Sequence, residues 1–330
     1  MVEEVDKYHT ESKKVLILDT KENLKCIKGL VENGTYNIIN GTYGVEKKSL
    51  DLTIVIPSHN RHDMIERSIN YYKIFGIKCI YVDSTDVQYT INDYYDNIQY
   101  LHLPGYSFVE KMIYALEKIN TKFVCTCADD DFLIIHELIN GYTFMQNNPD
   151  YVLYYGNSCS FLQDNGSFIL QKKANAQEKR IVCGDKWNRA KSFFINYKNV
   201  LWSLSKRNVL LKGYKMLNLY HYKNHNFYEL VLGTHFSFCG NIIISKDFWL
   251  VRENIKESWG RQHQSLVSIK QNNCLKKDCQ NFFKTTDEEL CYGYGRYCYR
   301  IYRVFVYKRK TLAYMLFPFK LIKQITNKLL

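Results

Sequence analysis

Between residues 51 and 147, short apolar runs alternate with amphipathic stretches, and the apolar runs stop in polar or turn-forming residues. Leu52-Thr53-Ile54-Val55-Ile56 is stopped by Pro57. Cys79-Ile80-Tyr81-Val82 ends at Asp83-Ser84, and the stretch from Ile98 to Leu103 ends at Pro104-Gly105. Phe123-Val124-Cys125-Thr126-Cys127 runs straight into Ala128-Asp129-Asp130-Asp131. Short apolar runs bounded in this way read as buried strands. The intervening segments have helical spacing. Asp63 to Phe75 places Met64, Ile65, Ile69 and Tyr72 on one face, and Phe108 to Ile119 does the same with Phe108, Met112, Ala115, Leu116 and Ile119. A further helix is expected from Leu133 to Asn147, ending near Pro149. This alternation predicts a mainly parallel α/β sheet with helices on both faces.

In such sheets ligands bind at the carboxyl ends of the strands. The polar residues fall there: Ser58-His59-Asn60-Arg61, Asp83-Ser84 and Asp129-Asp130-Asp131. Three successive carboxylates repel one another unless a cation or hydrogen-bond donors compensate. A hard divalent ion does so with oxygen ligands, commonly completing its shell with water and phosphate. An Asp-rich turn capping the helix that begins near Phe132 is the competing explanation. Backbone amides after Pro57 suit an anion or the edge of a base. Asp83 suits a ribose or base, or is simply a turn residue. Lys111, on a helix near the pocket mouth, can meet a phosphate or lie in solvent. Neither GxGxxG nor GxxxxGK[ST] follows the first strand, which disfavours a dinucleotide fold and a P-loop NTPase.

Taken together, Thr53-Ile54-Val55-Ile56-Pro57-Ser58-His59-Asn60-Arg61, Val82-Asp83-Ser84 and Ala128-Asp129-Asp130-Asp131-Phe132 resemble the family-2-type glycosyltransferases of the GT-A fold. The resemblance covers roughly residues 51–160 and, more loosely, 180–265. It implies a Rossmann-like, mainly parallel central sheet and a nucleotide-sugar donor, a UDP-sugar first among them. It also implies a glycan or lipid-linked acceptor and transfer with inversion, in surface polysaccharide or glycoconjugate synthesis. Pro57 to Arg61, Asp83, Ser84, Lys111 and Ala128 to Asp130 would then contact the donor. Asp129 and Asp131 match a D-x-D spacing for Mn²⁺ or Mg²⁺, with Asp130 able to take either role. The general base belongs in the second half: Glu229, within an aromatic stretch, is the first candidate and Asp185 the second. His263, beside Trp259-Gly260-Arg261, is the first of three histidines, with His225 and His235, considered for the metal shell or acceptor. The family's usual Glu-Asp signature is absent. A sugar nucleotidyltransferase of similar fold is the alternative enzyme, although its Gly-rich, basic loop is missing here.

The implied organisation is an N-terminal extension (1–50), a GT-A domain (51–265, with a donor half 51–160 and an acceptor half 161–265) and a C-terminal helical segment (266–330). The extension has one apolar run, Val15-Leu16-Ile17-Leu18, and then Gly-punctuated polar sequence. The net charge is +12, and no acidic residue follows Glu289, so the excess sits in a basic aromatic tail. Residues 292–330 have the composition of an interfacial helix that docks on anionic lipid, or of a helix pair packed on the catalytic domain. Basic and aromatic residues together also suit nucleic acid, but no binding signature accompanies them, so that partner is disfavoured, as is a purely non-enzymatic binding protein. Eleven scattered cysteines and an acidic, polar N-terminus point to free thiols in the cytoplasm, at the inner face of the membrane if the tail docks. Cys274, Cys279, Cys291 and Cys298 are spaced too widely for a zinc ribbon.

Overall fold

The computed structural model describes residues 15–17, 50–73, 75–91, 95–164, 167–171, 179–253, 266 and 273–305. The expected strands and helices are present. β2 (Leu52–Ser58), β3 (Lys78–Asp83), β4 (Ile98–His102) and β5 (Phe123–Thr126) lie parallel, in the order β4-β3-β2-β5. α1 (His62–Tyr72) follows β2, and α2 (Phe108–Lys118) precedes β5. β2 is buried along its whole length because helices cover both faces of the sheet. Full burial of Ile54, Val55 and Ile56 stabilises the sheet by about 1.5–3 kcal/mol each. α2 starts cleanly because Ser107 and Glu110 form a reciprocal capping box.

The sheet continues beyond β5. After β6 (Phe132–Leu133) and α3 (Ile135–Asn147) come β7 (Tyr151–Asp164), β8 (Ser167–Gln171) and β9 (Arg180–Val182). α4 (Lys186–Ile195), β10 (Leu204–Lys206), α5 (Arg207–Asn218), α6 (Asn226–Cys239) and β11 (Asn241–Glu253) follow. β10 runs antiparallel between β5 and β7, and β11 lies parallel to β7 while also pairing with β6 and β9. Gly156 permits the close approach of β7 and β11, since a Cβ there would meet Trp249 Cβ at 2.7 Å and the Asp247 carbonyl at 2.8 Å. From the N-terminal extension, β1 (Val15–Ile17) pairs with β8 at the sheet edge.

The C-terminal segment is joined to this body. α7 (Asn273–Glu289) and a helix over 294–305, α8, share its hydrophobic core through Phe282, Tyr294, Cys298 and Tyr299. Tyr294 donates to the Lys186 carbonyl and lies beside Trp187. Part of the aromatic tail is therefore packed in the interior, whereas Tyr292, Arg296 and Arg300 are exposed. Cys279, Cys291 and Cys298 are free thiols. No helix among the described residues is long and apolar enough to cross a membrane.

Candidate functional site

The ends of β2, β3 and β5 meet as a hydrogen-bonded group. Ser58 pairs in register with Asp83, and its hydroxyl donates to Asp129 Oδ2 at 2.6 Å. Arg61 Nη1 donates both to Asp129 Oδ1 (3.1 Å) and to Asp130 Oδ2 (2.9 Å). The acidic run does not cap a helix. Phe132 and Leu133 pair with Val251 and Leu250 of β11, and α3 begins only at Ile135 with no side-chain cap. The short β6 ladder takes the backbone away from helical geometry immediately after the carboxylates, so capping cannot be their role.

The three aspartates divide into a pair and a single residue. Asp131 is buried, and both its oxygens are engaged by β11: Arg252 Nε donates at 3.1 Å and the Glu253 amide at 3.1 Å. Burial raises the pKa of Asp131, and Arg252 opposes that shift. Asp131 thus fastens the acidic turn to β11. Asp129 and Asp130 instead turn their oxygens toward one guanidinium nitrogen. Two hard oxygen donors thus share one cationic partner, Arg61. Among the described residues no group of three or more His, Cys, Asp or Glu side chains is arranged to hold a metal. Burial, then the Asp130 charge, raise the pKa of Asp129, against Ser58 and Arg61.

Asp83 is wholly buried and already well partnered. The Thr85 amide (3.0 Å) and hydroxyl donate to Oδ1, Tyr100 donates to Oδ2 at 2.8 Å, and His62 Nε2 lies 3.3 Å away. Burial acts to raise its pKa, but the bonds from Thr85 and Tyr100 and the nearby His62 hold it below the usual carboxylate value. Asp83 organises the loop after β3, where His62 packs on Tyr89 with ring centroids 5.4 Å apart. Ser84 bonds His59 at 3.2 Å, and the Asn60 amide donates to Thr85 at 2.7 Å. Asn60 occupies the left-handed region, φ 56°, a conformation for which Asn is better suited than most residues. Pro57 is buried in the ladder opposite Val82, and Ala128 is half-buried beside the carboxylates.

Lys111 is not at the pocket mouth. It is 3% exposed and donates to the Ser58 carbonyl and to Ser84 at 3.1 Å, clamping the ends of β2 and β3 from beneath. Burial lowers its pKa to about 8, while Asp83 and Asp129 pull the other way.

Glu229, in the first turn of α6, is linked to the same strand ends. Thr126, at the end of β5, donates to the Leu201 carbonyl; the Leu201 amide donates to Asn199 Oδ1; Asn199 Nδ2 donates to Glu229 Oε1 at 2.5 Å. Tyr197 donates to Oε2 at 3.3 Å. Glu229 is half-buried, and desolvation raises its pKa to about 7 despite Tyr197 and the charge of Arg252. The electrostatic influence of Arg252 thus reaches both Asp131 and Glu229.

Asp185 lies elsewhere. It is exposed and caps α4, accepting from the Trp187 amide at 2.8 Å and the Asn188 amide at 3.0 Å, and these bonds lower its pKa. Val182 pairs with Ile242, and from there to Arg252 the facing strand β7 runs from Leu153 to Ser160, about 23 Å. The Asp185 carboxylate is thus engaged in capping α4, apart from the acidic turn. Asp185→Ala is expected to lower the melting temperature by a few degrees while leaving turnover unchanged, as thermal melting and a kinetic assay would show. His235 is buried against the Val209 carbonyl, with a pKa lowered to about 4 by burial, and His225 stacks on Tyr228. His263 lies outside the described residues.

Sequence reasoning missed Arg252, Glu253 and Arg67. Arg67 Nη2 bonds Glu253 at 2.6 Å and the Asp130 carbonyl at 3.2 Å, bracing the acidic turn against β11. A signal was available: Trp249-Leu250-Val251 is another apolar run ending in charged residues, like the strand ends before it.

No family model matches the chain, and no match was found among curated proteins. Solved structures do match. S. aureus TarS 1–349 in complex with UDP is 13% identical over 77% of this chain and 70% of that one, with a TM-score of 0.50. The same fragment in complex with UDP-GlcNAc is 11% identical over 77% and 71%, with a TM-score of 0.49. The likeness to the UDP complex bears out the fold class expected from the sequence, the GT-A arrangement of a central sheet with flanking helices. The sheet is mixed rather than mainly parallel, because β1, β6 and β8 to β10 join it antiparallel.

Proposed function

We propose that this chain is a glycosyltransferase that moves a sugar from a nucleoside diphosphate sugar, a UDP-sugar first, to a glycan or lipid-linked acceptor. The observation that carries this reading is the convergence, at adjacent parallel strand ends, of the organised Asp83 loop and the Arg61-bridged Asp129–Asp130 pair, with Glu229 tied to the end of β5 through Asn199 and Leu201. The similarly folded TarS structure in complex with UDP supports a nucleotide as the ligand.

In this reading the loop from Ser58 to Arg61 and the residues after Asp83 receive the nucleoside, and Asp129 and Asp130 face the diphosphate. When bound there, Mn²⁺ or Mg²⁺ would compensate the charge of the departing nucleoside diphosphate. Glu229, ionised near neutral pH, takes the proton of the acceptor hydroxyl. That oxygen bonds to the anomeric carbon as the bond from this carbon to the phosphate oxygen breaks, with inversion. Arg61, beside the carboxylate pair, meets charge on the leaving group. Incubating the full chain with UDP-sugars, Mn²⁺ and a mixed glycan and glycolipid acceptor pool is expected to release UDP. Release of pyrophosphate from UTP and a sugar 1-phosphate, with no UDP formed from UDP-sugars, would instead favour nucleotidyl transfer.

Exposed Tyr292 and Arg300 support contact of residues 292–330 with an anionic bilayer, which would bring the enzyme to a lipid-linked acceptor. The full chain is expected to sediment with phosphatidylglycerol vesicles and to be released by salt; equal binding to neutral vesicles would contradict an electrostatic contact.

A further inference from the structure

We propose that Arg61 is a built-in counter-cation for the Asp129–Asp130 pair, one that a divalent ion displaces and that then grips the donor diphosphate. The inference rests on the donor-site reading above and extends it to how the site is loaded. One guanidinium nitrogen serves carboxylate oxygens of two consecutive residues, at 3.1 and 2.9 Å. Without a cation these carboxylates would repel each other within a largely buried turn. Arg61 removes that penalty in the free protein.

The surroundings allow the side chain to leave while its backbone stays. The Asn60 amide is tied to Thr85, and the Arg61 carbonyl accepts from the Met64 and Ile65 amides as α1 begins. The main chain is therefore held on both sides. The side chain is 32% exposed and, among the described residues, its hydrogen bonds go only to the two carboxylates. Arg67 and Arg252 have other tasks, joining β11 to the Asp130 carbonyl and to Asp131.

A divalent ion carries twice the charge and approaches carboxylate oxygens to about 2.1 Å, so it competes effectively for this position. Once the ion is seated, the guanidinium faces a like charge and is driven toward the nearest anion. A diphosphate offers paired oxygens that match the guanidinium fork. Arg61 thus opposes metal binding in the empty site and favours nucleotide binding in the loaded one.

Opposite effects from one substitution are the signature. In the full chain, Arg61→Gln is expected to bind Mn²⁺ alone about tenfold more tightly than wild type, measured from free Mn²⁺ by electron paramagnetic resonance. With saturating Mn²⁺, the same variant is expected to bind UDP about tenfold more weakly by calorimetry. Arg61→Lys keeps the charge but loses the fork; it should leave Mn²⁺ affinity near wild type and still weaken UDP, and it guards against a folding defect in the glutamine variant. If Arg61→Gln binds Mn²⁺ no more tightly than wild type, while Asp129→Asn with Asp130→Asn loses it, the role given to Arg61 is wrong and the donor site stands. If the wild-type chain binds neither Mn²⁺ nor UDP with Mn²⁺, the donor-site reading fails and this inference fails with it.

Discussion

Glu229→Gln is expected to lower kcat/KM for sugar transfer by about 10²–10⁴-fold, the usual contribution of a positioned general base, while leaving UDP affinity unchanged. The substitution keeps the shape of the side chain and leaves amide groups to bond Asn199 and Tyr197. What it removes is the ability to take a proton. The pH profile gives an independent reading. Desolvation raises the pKa of Glu229 to about 7, so the base is mostly protonated below that pH and ionised above it. Wild-type kcat/KM should rise with pH, about tenfold per unit on the acid side, and level off above about 7. In Glu229→Gln this limb should vanish. A profile that keeps its limb in the variant would assign it to another group.

The second large effect separates the aspartates. Asp129→Asn with Asp130→Asn is expected to weaken UDP binding in Mn²⁺ by about 10²-fold or more, because the two carboxylates that would hold the ion against the diphosphate are lost together. The fold should persist, since an Asn at 129 can still accept from Ser58. Asp131→Asn should behave differently. Its partners are Arg252 and the Glu253 amide, so its loss is expected to appear in urea unfolding, as about 1–3 kcal/mol, with a smaller effect on UDP affinity. The range lies below that for a fully buried ion pair because the Arg252 side chain is 35% exposed and keeps part of its solvation. Equal loss of UDP affinity from both changes would show that all three carboxylates act on the ligand.

The parallel half of the fold was legible because burial on both faces writes strands as unbroken apolar runs, as in Leu52 to Ile56 and Phe123 to Cys127. The amphipathic faces of α1 and α2 were legible for the same reason. The roles within the site were less so. That Asp131 turns away from Asp129 and Asp130 depends on β6 pairing with β11, more than a hundred residues later. No local pattern encodes such a pairing, and D-x-D spacing does not register that Asp131 is bonded to Arg252 and the Glu253 amide. Lys111 reads as a surface lysine on a helix, yet the helix face it occupies packs over Ser58 and Ser84. Asp185 shows the converse: an acidic residue before a helix is a cap by local rule, and it proved to be one. Glu229 stood out through its apolar neighbours, but its connection to the end of β5 runs through Asn199 and Leu201, which periodicity does not register.

The central claim, a nucleoside diphosphate site at the ends of β2, β3 and β5, is tested most directly by titrating UDP into the full chain in a calorimeter with Mn²⁺ present and again after EDTA. The account predicts saturable binding at one site with Mn²⁺ and a marked loss of affinity once the ion is removed. No saturable heat up to millimolar UDP with Mn²⁺ present, from a chain that melts as a folded protein, would contradict it.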